Sequence, residues 1–436
     1  MNEFSIGIQC RYLSTLDPKR PQVEENVFIG INDHEIAFIG KHDPKTQSVR
    51  HWIQGEQHWV TPGMVNSHTH LPMTLLRGMA DDEPLKEWLE KHIFPAEARL
   101  VSPEFVKIGT KLALCEAIRS GSTTFCDMYY FIGDIAKVCD EAGVRAYLGE
   151  TYIDFPVADN LKQDGGEERI LSKMLVDYAN HRRIRPVVGP HAPYTCSDET
   201  LKKAFGFARK NKLLVSIHVS ETEWENAESI SKYGKTPTKR IADLDLLDVP
   251  TLFAHGVHLT EEDMEICAKH KVSVVYNPES NMKLGSGAAR VPLMLEKGVN
   301  VALGTDGCAS NNDLNMIREM DSGAKLQKHS AKNNAAISAW QLLQLATING
   351  AKALRAEKTF GSLEVGKAAD LICIDLMHTH LQPIHNVTSL IYSLQGSEVS
   401  SVLCDGRILM DEYDLKTLDE DAVIRELAEY RQKMSF

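Results

Sequence analysis

With 436 residues, 43% of them hydrophobic and 25% charged, the chain can bury one large core and carry a smaller companion domain. A formal net charge of −12 leaves no basic footprint for neutralising phosphates, which argues against a general nucleic-acid binder. The nine cysteines are scattered and never in CxxC spacing, which disfavours a disulfide framework, a thiolate zinc site and the zinc deaminase fold marked by HxE and PCxxC.

The N-terminus, MNEFSIGIQCRYLS, has no basic segment leading into a long apolar one, and no stretch approaches the roughly 20 apolar residues of a membrane helix. A cytoplasmic protein without membrane contact is expected. Residues 1–60 contain alternating strand patterns such as VFIGINDHEIAFIG, the first part of a small β-sandwich. From 61 to 360, short apolar runs alternate with amphipathic stretches that begin near Ser, Thr or Asp, the residues that cap helices. The runs are WVTPGMVNSH, STTFCDMYY, VRAYLGETY, IRPVVGPHAP, LLVSIHVSE, TLFAHGVHL, VSVVYNPES and NVALGTDG. Eight such units predict an α/β fold closed as a (β/α)8 TIM-type barrel. An open doubly wound sheet is the alternative, but no GxGxxG follows the first strand. Residues 361–436 return to strand patterns, GSLEVGKAADLICIDL and VSSVLCDGRILM, as the second part of the β-sandwich, and end in a helical stretch, DLKTLDEDAVIRELAEYRQKM.

The first run ends in His68 and His70, which alternate strand geometry places on one face. HxH alone is a weak signal in a chain with 17 histidines. What strengthens it is the content of the other strand ends. The fourth run reaches His191, the fifth His218 with Glu221 three residues on, the sixth His255, and the eighth Asp306. Barrel topology gathers all of these at the C-terminal rim, where a metal-binding centre is expected.

This pattern resembles the amidohydrolase superfamily over essentially the whole chain, including PGMVNSHTHLPM and GSLEVGKAADLICID. LKEWLEKHIFPAE, HVSETEWE, NPESNMKLGSG and GTDGCASNN resemble the branch of 5-methylthioadenosine and S-adenosylhomocysteine deaminases, whose neighbours are triazine hydrolases and guanine and cytosine deaminases. The resemblance implies that His68, His70, His218 and Asp306 hold one divalent ion, zinc before Fe2+, Mn2+ or Ni2+. Such an ion lowers the pKa of a bound water from about 15.7 towards 7. IRPVVGPHAP offers no lysine to bridge a second metal.

By the same resemblance Glu221 is the general acid and base, His255 orients the attacking water and Asp306 joins them in catalysis. His191 contacts the purine and Glu97 the ribose hydroxyls; Trp88 either closes over the substrate or packs in the core. Asn277, Ser280 and Asn281 shape the seventh loop without assignable roles. The implied reaction is hydrolytic deamination of an adenosine-type nucleoside. Deamination of a free purine, pterin or pyrimidine, or triazine hydrolysis, is the alternative. The segment after the third strand, TYIDFPVADNLKQDGGEER, offers Lys162 and no arginine before Arg169 to hold an amino-acid carboxylate, which favours methylthioadenosine over S-adenosylhomocysteine. The family also implies a homo-oligomer, a dimer or tetramer.

Overall fold

The computed structural model describes residues 2–157 and 166–434. Its centre is an eight-stranded parallel sheet in sequential order. The strands are β6 (Met64–Thr69), β7 (Ser122–Tyr129), β8 (Arg145–Tyr152), β9 (Ile184–Pro190), β10 (Val215–Val219), β11 (Thr251–His255), β12 (Ser273–Tyr276) and β13 (Asn300–Leu303). The first and last strands meet. Thr69 bridges Asp306 in parallel, Asp306 N–H donates to His68 O at 2.9 Å, and Asn66 Nδ2 donates to Thr305 Oγ1 at 2.8 Å. The sheet is therefore a barrel, and its closing seam joins the HxH strand to Asp306.

A second, nine-stranded mixed sheet draws on both chain ends. It comprises β1 (Asn2–Leu13), β2 (Glu24–Asn32), β3 (Glu35–Gly40), β4 (Gln47–Ile53), β5 (His58–Pro62), β14 (Leu371–Asp375), β15 (Val399–Cys404), β16 (Arg407–Asp411) and β17 (Asp414–Leu415). The antiparallel pairing of β14 with β5 joins the two ends. The run WVTPGMVNSH, expected as one strand, is thus two: β5 belongs to this sheet and β6 to the barrel. The break falls at Gly63, where a Cβ would lie 2.3 Å from Thr123 Cγ2, so only glycine lets the chain pass between the sheets. The helix Glu420–Met434 lies against Pro103–Arg119, with Lys111 and Glu426 paired at 2.8 Å. Among the described residues no helix is long and apolar enough to cross a membrane.

The barrel and the second sheet are joined by a buried ionic network at the start of β8. Arg145 donates to both oxygens of Asp370 (3.0 and 3.1 Å) and to Arg182 O (2.8 Å). Its guanidinium lies 4.7 Å from the Phe360 ring centroid. Arg145→Met is expected to destabilise the fold by about 3–5 kcal/mol, because it leaves the buried Asp370 carboxylate without its countercharge. A chemical denaturation midpoint equal to that of the unmodified protein would refute this.

Candidate active site

Five of the eight barrel strands, β6, β9, β10, β11 and β13, carry a histidine or aspartate of the predicted centre at or just past their C-terminal ends. His68 lies in β6 with His70 just past it; His218 lies in β10, and Asp306 follows β13. Their four donor atoms lie within 4.8 Å of one another. His70 Nε2 is 3.2 Å and His68 Nε2 3.4 Å from Asp306 Oδ1, and His218 Nε2 is 3.3 Å from His70 Nε2. A tetrahedral ion with bonds of about 2.0–2.1 Å separates its ligands by roughly 3.3 Å, so this spacing suits one divalent metal.

The surroundings fix which atoms face the centre. His70 Nδ1 lies 2.6 Å from Met128 O, and His218 Nδ1 lies 2.6 Å from His191 O. A carbonyl only accepts, so both Nδ1 atoms carry the proton and both Nε2 atoms present lone pairs. Both ring nitrogens of the fully buried His68 lack a hydrogen-bond partner among the described residues, so a ring nitrogen is free to bind a metal. Asp306 Oδ2 accepts from Ser280 Oγ and Ser310 Oγ, each at 2.7 Å, which leaves Oδ1 for the centre. Asp306 (φ +64°) and His255 (φ +73°) both adopt the left-handed region that ordinary residues avoid, a strain that concentrates where side chains must be aimed.

His255 ends β11. Asn281 Nδ2 donates to its Nδ1 at 2.9 Å, so the ring proton sits on Nε2, 3.7 Å from Glu221 Oε2. Glu221 is buried, and burial first, then the Asp306 and Glu225 carboxylates, raise its pKa well above the ordinary range. His191 follows β9, with Nδ1 2.8 Å from Thr195 Oγ1; burial lowers its pKa to about 3, so the ring is neutral. Glu97, on the helix Phe94–Leu100, is also buried, and burial pushes its carboxyl up to about 7.

His70, His218, Asp306, His255, Glu221, His191 and Glu97 line one inner cavity of about 70 Å³, walled also by Trp88, Tyr129 and Tyr194. Trp88 is 5% exposed, so it is a core residue that also forms part of the cavity wall. The inner cavity borders an outer chamber of about 840 Å³ and shares Leu85, Leu89, Phe94 and Tyr194 with it. Lys162 lies outside the described residues, and Arg169 is exposed on the helix Gly166–Asp177.

Sequence reasoning named Ser280 and Asn281 without a task; here they hold Asp306 and His255. Asn277 is buried and its side-chain amide has no hydrogen-bond partner among the described residues. Ser310 was not singled out at all, although GTDGCASNN contains it. The carbonyls of Met128 and His191, which orient two ligands, have no sequence signal.

A parallel barrel with three imidazoles and a carboxylate on its C-terminal rim defines a metal-dependent hydrolase of the mononuclear kind. The chain belongs to the amidohydrolase family, whose model matches residues 59–409. It is 46% identical over 421 residues to a 5-methylthioadenosine/S-adenosylhomocysteine deaminase of Thermoanaerobacter pseudethanolicus, covering 96% of this chain and 97% of that one. It is 44% identical over 423 residues to a 5'-deoxyadenosine deaminase of Methanosarcina mazei, covering 97% and 96%. Among solved structures, an adenosine deaminase from Xanthomonas campestris with bound zinc superposes with a TM-score of 0.95 at 35% identity, covering 99% of each chain.

Proposed function

We propose that this chain is a zinc-dependent aminohydrolase that converts an adenosine-type nucleoside, 5'-methylthioadenosine first, into its inosine analogue and ammonia. The observation carrying this reading is one cavity that joins three members of the metal quartet, His70, His218 and Asp306, to two buried carboxylates, Glu221 and Glu97, in a chain so similar to nucleoside deaminases. His68, His70, His218 and Asp306 would hold the ion, which when bound would supply a nucleophile from water at neutral pH.

The protein's own groups do the rest. Glu221 gives a proton to the purine ring nitrogen as the amine-bearing carbon is attacked, then takes the proton of the newly bound hydroxyl and passes it to the amine as the C–N bond breaks, leaving the carbonyl of the inosine analogue. The Nε2–H of His255 donates to the attacking oxygen and orients it. His191 contacts the purine, and Glu97 accepts the ribose hydroxyls. Trp88 closes the wall beside the base. A nucleoside is too large for the inner cavity alone, so its 5' substituent extends past Phe94 and Tyr194 into the outer chamber, among Phe155 and Trp224. Those rings suit a methylthio group, while Lys86, Glu228, Lys232 and Arg240 line the same chamber further out. The nine free, buried cysteines suit a reducing, cytoplasmic setting. A homo-oligomer, dimer or tetramer, belongs to the same reading, and sedimentation would size it.

An ammonia-release panel on the purified protein tests the reaction. Methylthioadenosine and 5'-deoxyadenosine should both react. If every adenosine-type nucleoside stays intact while guanine or cytosine is consumed, the substrate assignment is wrong. Glu97→Ala should depress kcat/KM for nucleosides by about 10²-fold or more and leave free-base analogues little affected. Equal loss on both would make Glu97 a structural residue.

A further inference from the structure

The chain turns sharply between the ligand His218 and the helix Glu223–Tyr233. Ser220 is left-handed (φ +55°), and Thr222 caps the helix by accepting the N–H of Glu225 at 3.2 Å. In a usual capping box, a glutamate at this third helical position bonds the N–H of the capping residue itself. Glu225 reaches further back. Its Oε1 accepts the N–H of Ser220 at 2.9 Å and its Oε2 the N–H of Glu221 at 2.8 Å, with the side chain 1% exposed. Both oxygens are committed to two consecutive amides, one of them belonging to the residue assigned the proton transfers.

We propose that Glu225 is a positioning residue for Glu221: its carboxylate clamps the Ser220–Glu221 backbone and so sets the direction from which the Glu221 side chain enters the cavity. The inference rests on the reading of Glu221 as proton carrier. Two further observations support it. Around the Glu221 carboxyl stand the Ser286 hydroxyl and, 3.7 Å from Oε2, His255, both weak contacts, so the backbone does much of the aiming. The same turn is tied to the neighbouring loop: Ser220 O accepts the N–H of His258 at 2.9 Å, and Asn226 Nδ2 donates to His258 O at 2.8 Å. Glutamate is required by shape. Aspartate is one methylene too short to span both amides, and glutamine would set its own N–H groups against one of them.

The test compares zinc-loaded wild type, Glu225→Gln and Thr222→Ala, reading kcat, KM, zinc content and amide hydrogen exchange over 219–223. Glu225→Gln should lower kcat by about 10–10²-fold, the scale of a sub-ångström to 1 Å misplacement, with KM and zinc content little changed. Exchange at Ser220 and Glu221 should accelerate. Thr222→Ala removes the cap bond to the Glu225 N–H but leaves the Glu225 carboxylate on both amides, so it should lower the melting temperature yet keep kcat. Wild-type kcat in Glu225→Gln, or an equal kcat loss in Thr222→Ala, overturns the proposal. A wild-type enzyme idle on nucleosides but active on a free base overturns the substrate reading alone, because the kcat comparison then runs on that base.

Discussion

Glu221→Gln is expected to lower kcat by about 10³-fold or more while zinc content stays near one per chain and the melting temperature holds. The substitution keeps the shape of the side chain and removes only its ability to carry a proton. Glu221 is not one of the four metal-binding residues, and Oε2 lies 3.7 Å from His255, so the metal site should survive. The fold should survive too. Burial and the adjacent Asp306 and Glu225 carboxylates already disfavour the charged form, so a neutral amide there adds no electrostatic penalty. Ammonia release and elemental analysis on the same sample decide the matter. Turnover near the wild-type rate would remove Glu221 from the mechanism, whereas loss of zinc would make it a support of the metal centre.

What the sequence made legible follows from which interactions are local. The βα alternation is written in short apolar runs and helix caps, and five of the eight strand ends carry a histidine or aspartate, so His68, His70, His191, His218, His255 and Asp306 could be gathered by topology alone. The split at Gly63 was hidden because the apolar pattern of WVTPGMVNSH runs unbroken through it; the reason for the break is Thr123, far along the chain and touching only after folding. The same limit applies to the supports of the site. Ser280 and Ser310 reach one oxygen of Asp306 from opposite sides in sequence, and the carbonyls of Met128 and His191 act through backbone atoms that every residue possesses. Glu97 lies on an unremarkable helix outside the strand pattern, and only the family resemblance singled it out.

Asp306→Asn is the sharper test of the metal centre. The backbone of Asp306 closes the barrel through its bridge to Thr69 and its bond to His68 O, and neither contact involves the side chain. The substitution should therefore leave the barrel intact, with an unchanged circular dichroism spectrum. What it removes is the one anionic ligand facing three imidazole lone pairs. Changing a mere supporting group around a metal ligand weakens binding by about 10–10²-fold, so loss of the carboxylate itself should exceed that. Zinc content should fall well below one per chain after dialysis, and turnover should fall with it. The metal-free form should also melt lower, since a ligand held at 10³ times its Kd stabilises the folded state by about 4 kcal/mol. Excess zinc should recover part of both properties, because His68, His70 and His218 still converge. Full zinc occupancy with wild-type turnover in Asp306→Asn would mean that the ion sits elsewhere, and the close approach of His70 and His68 to Asp306 would then be an ordinary buried ion pair.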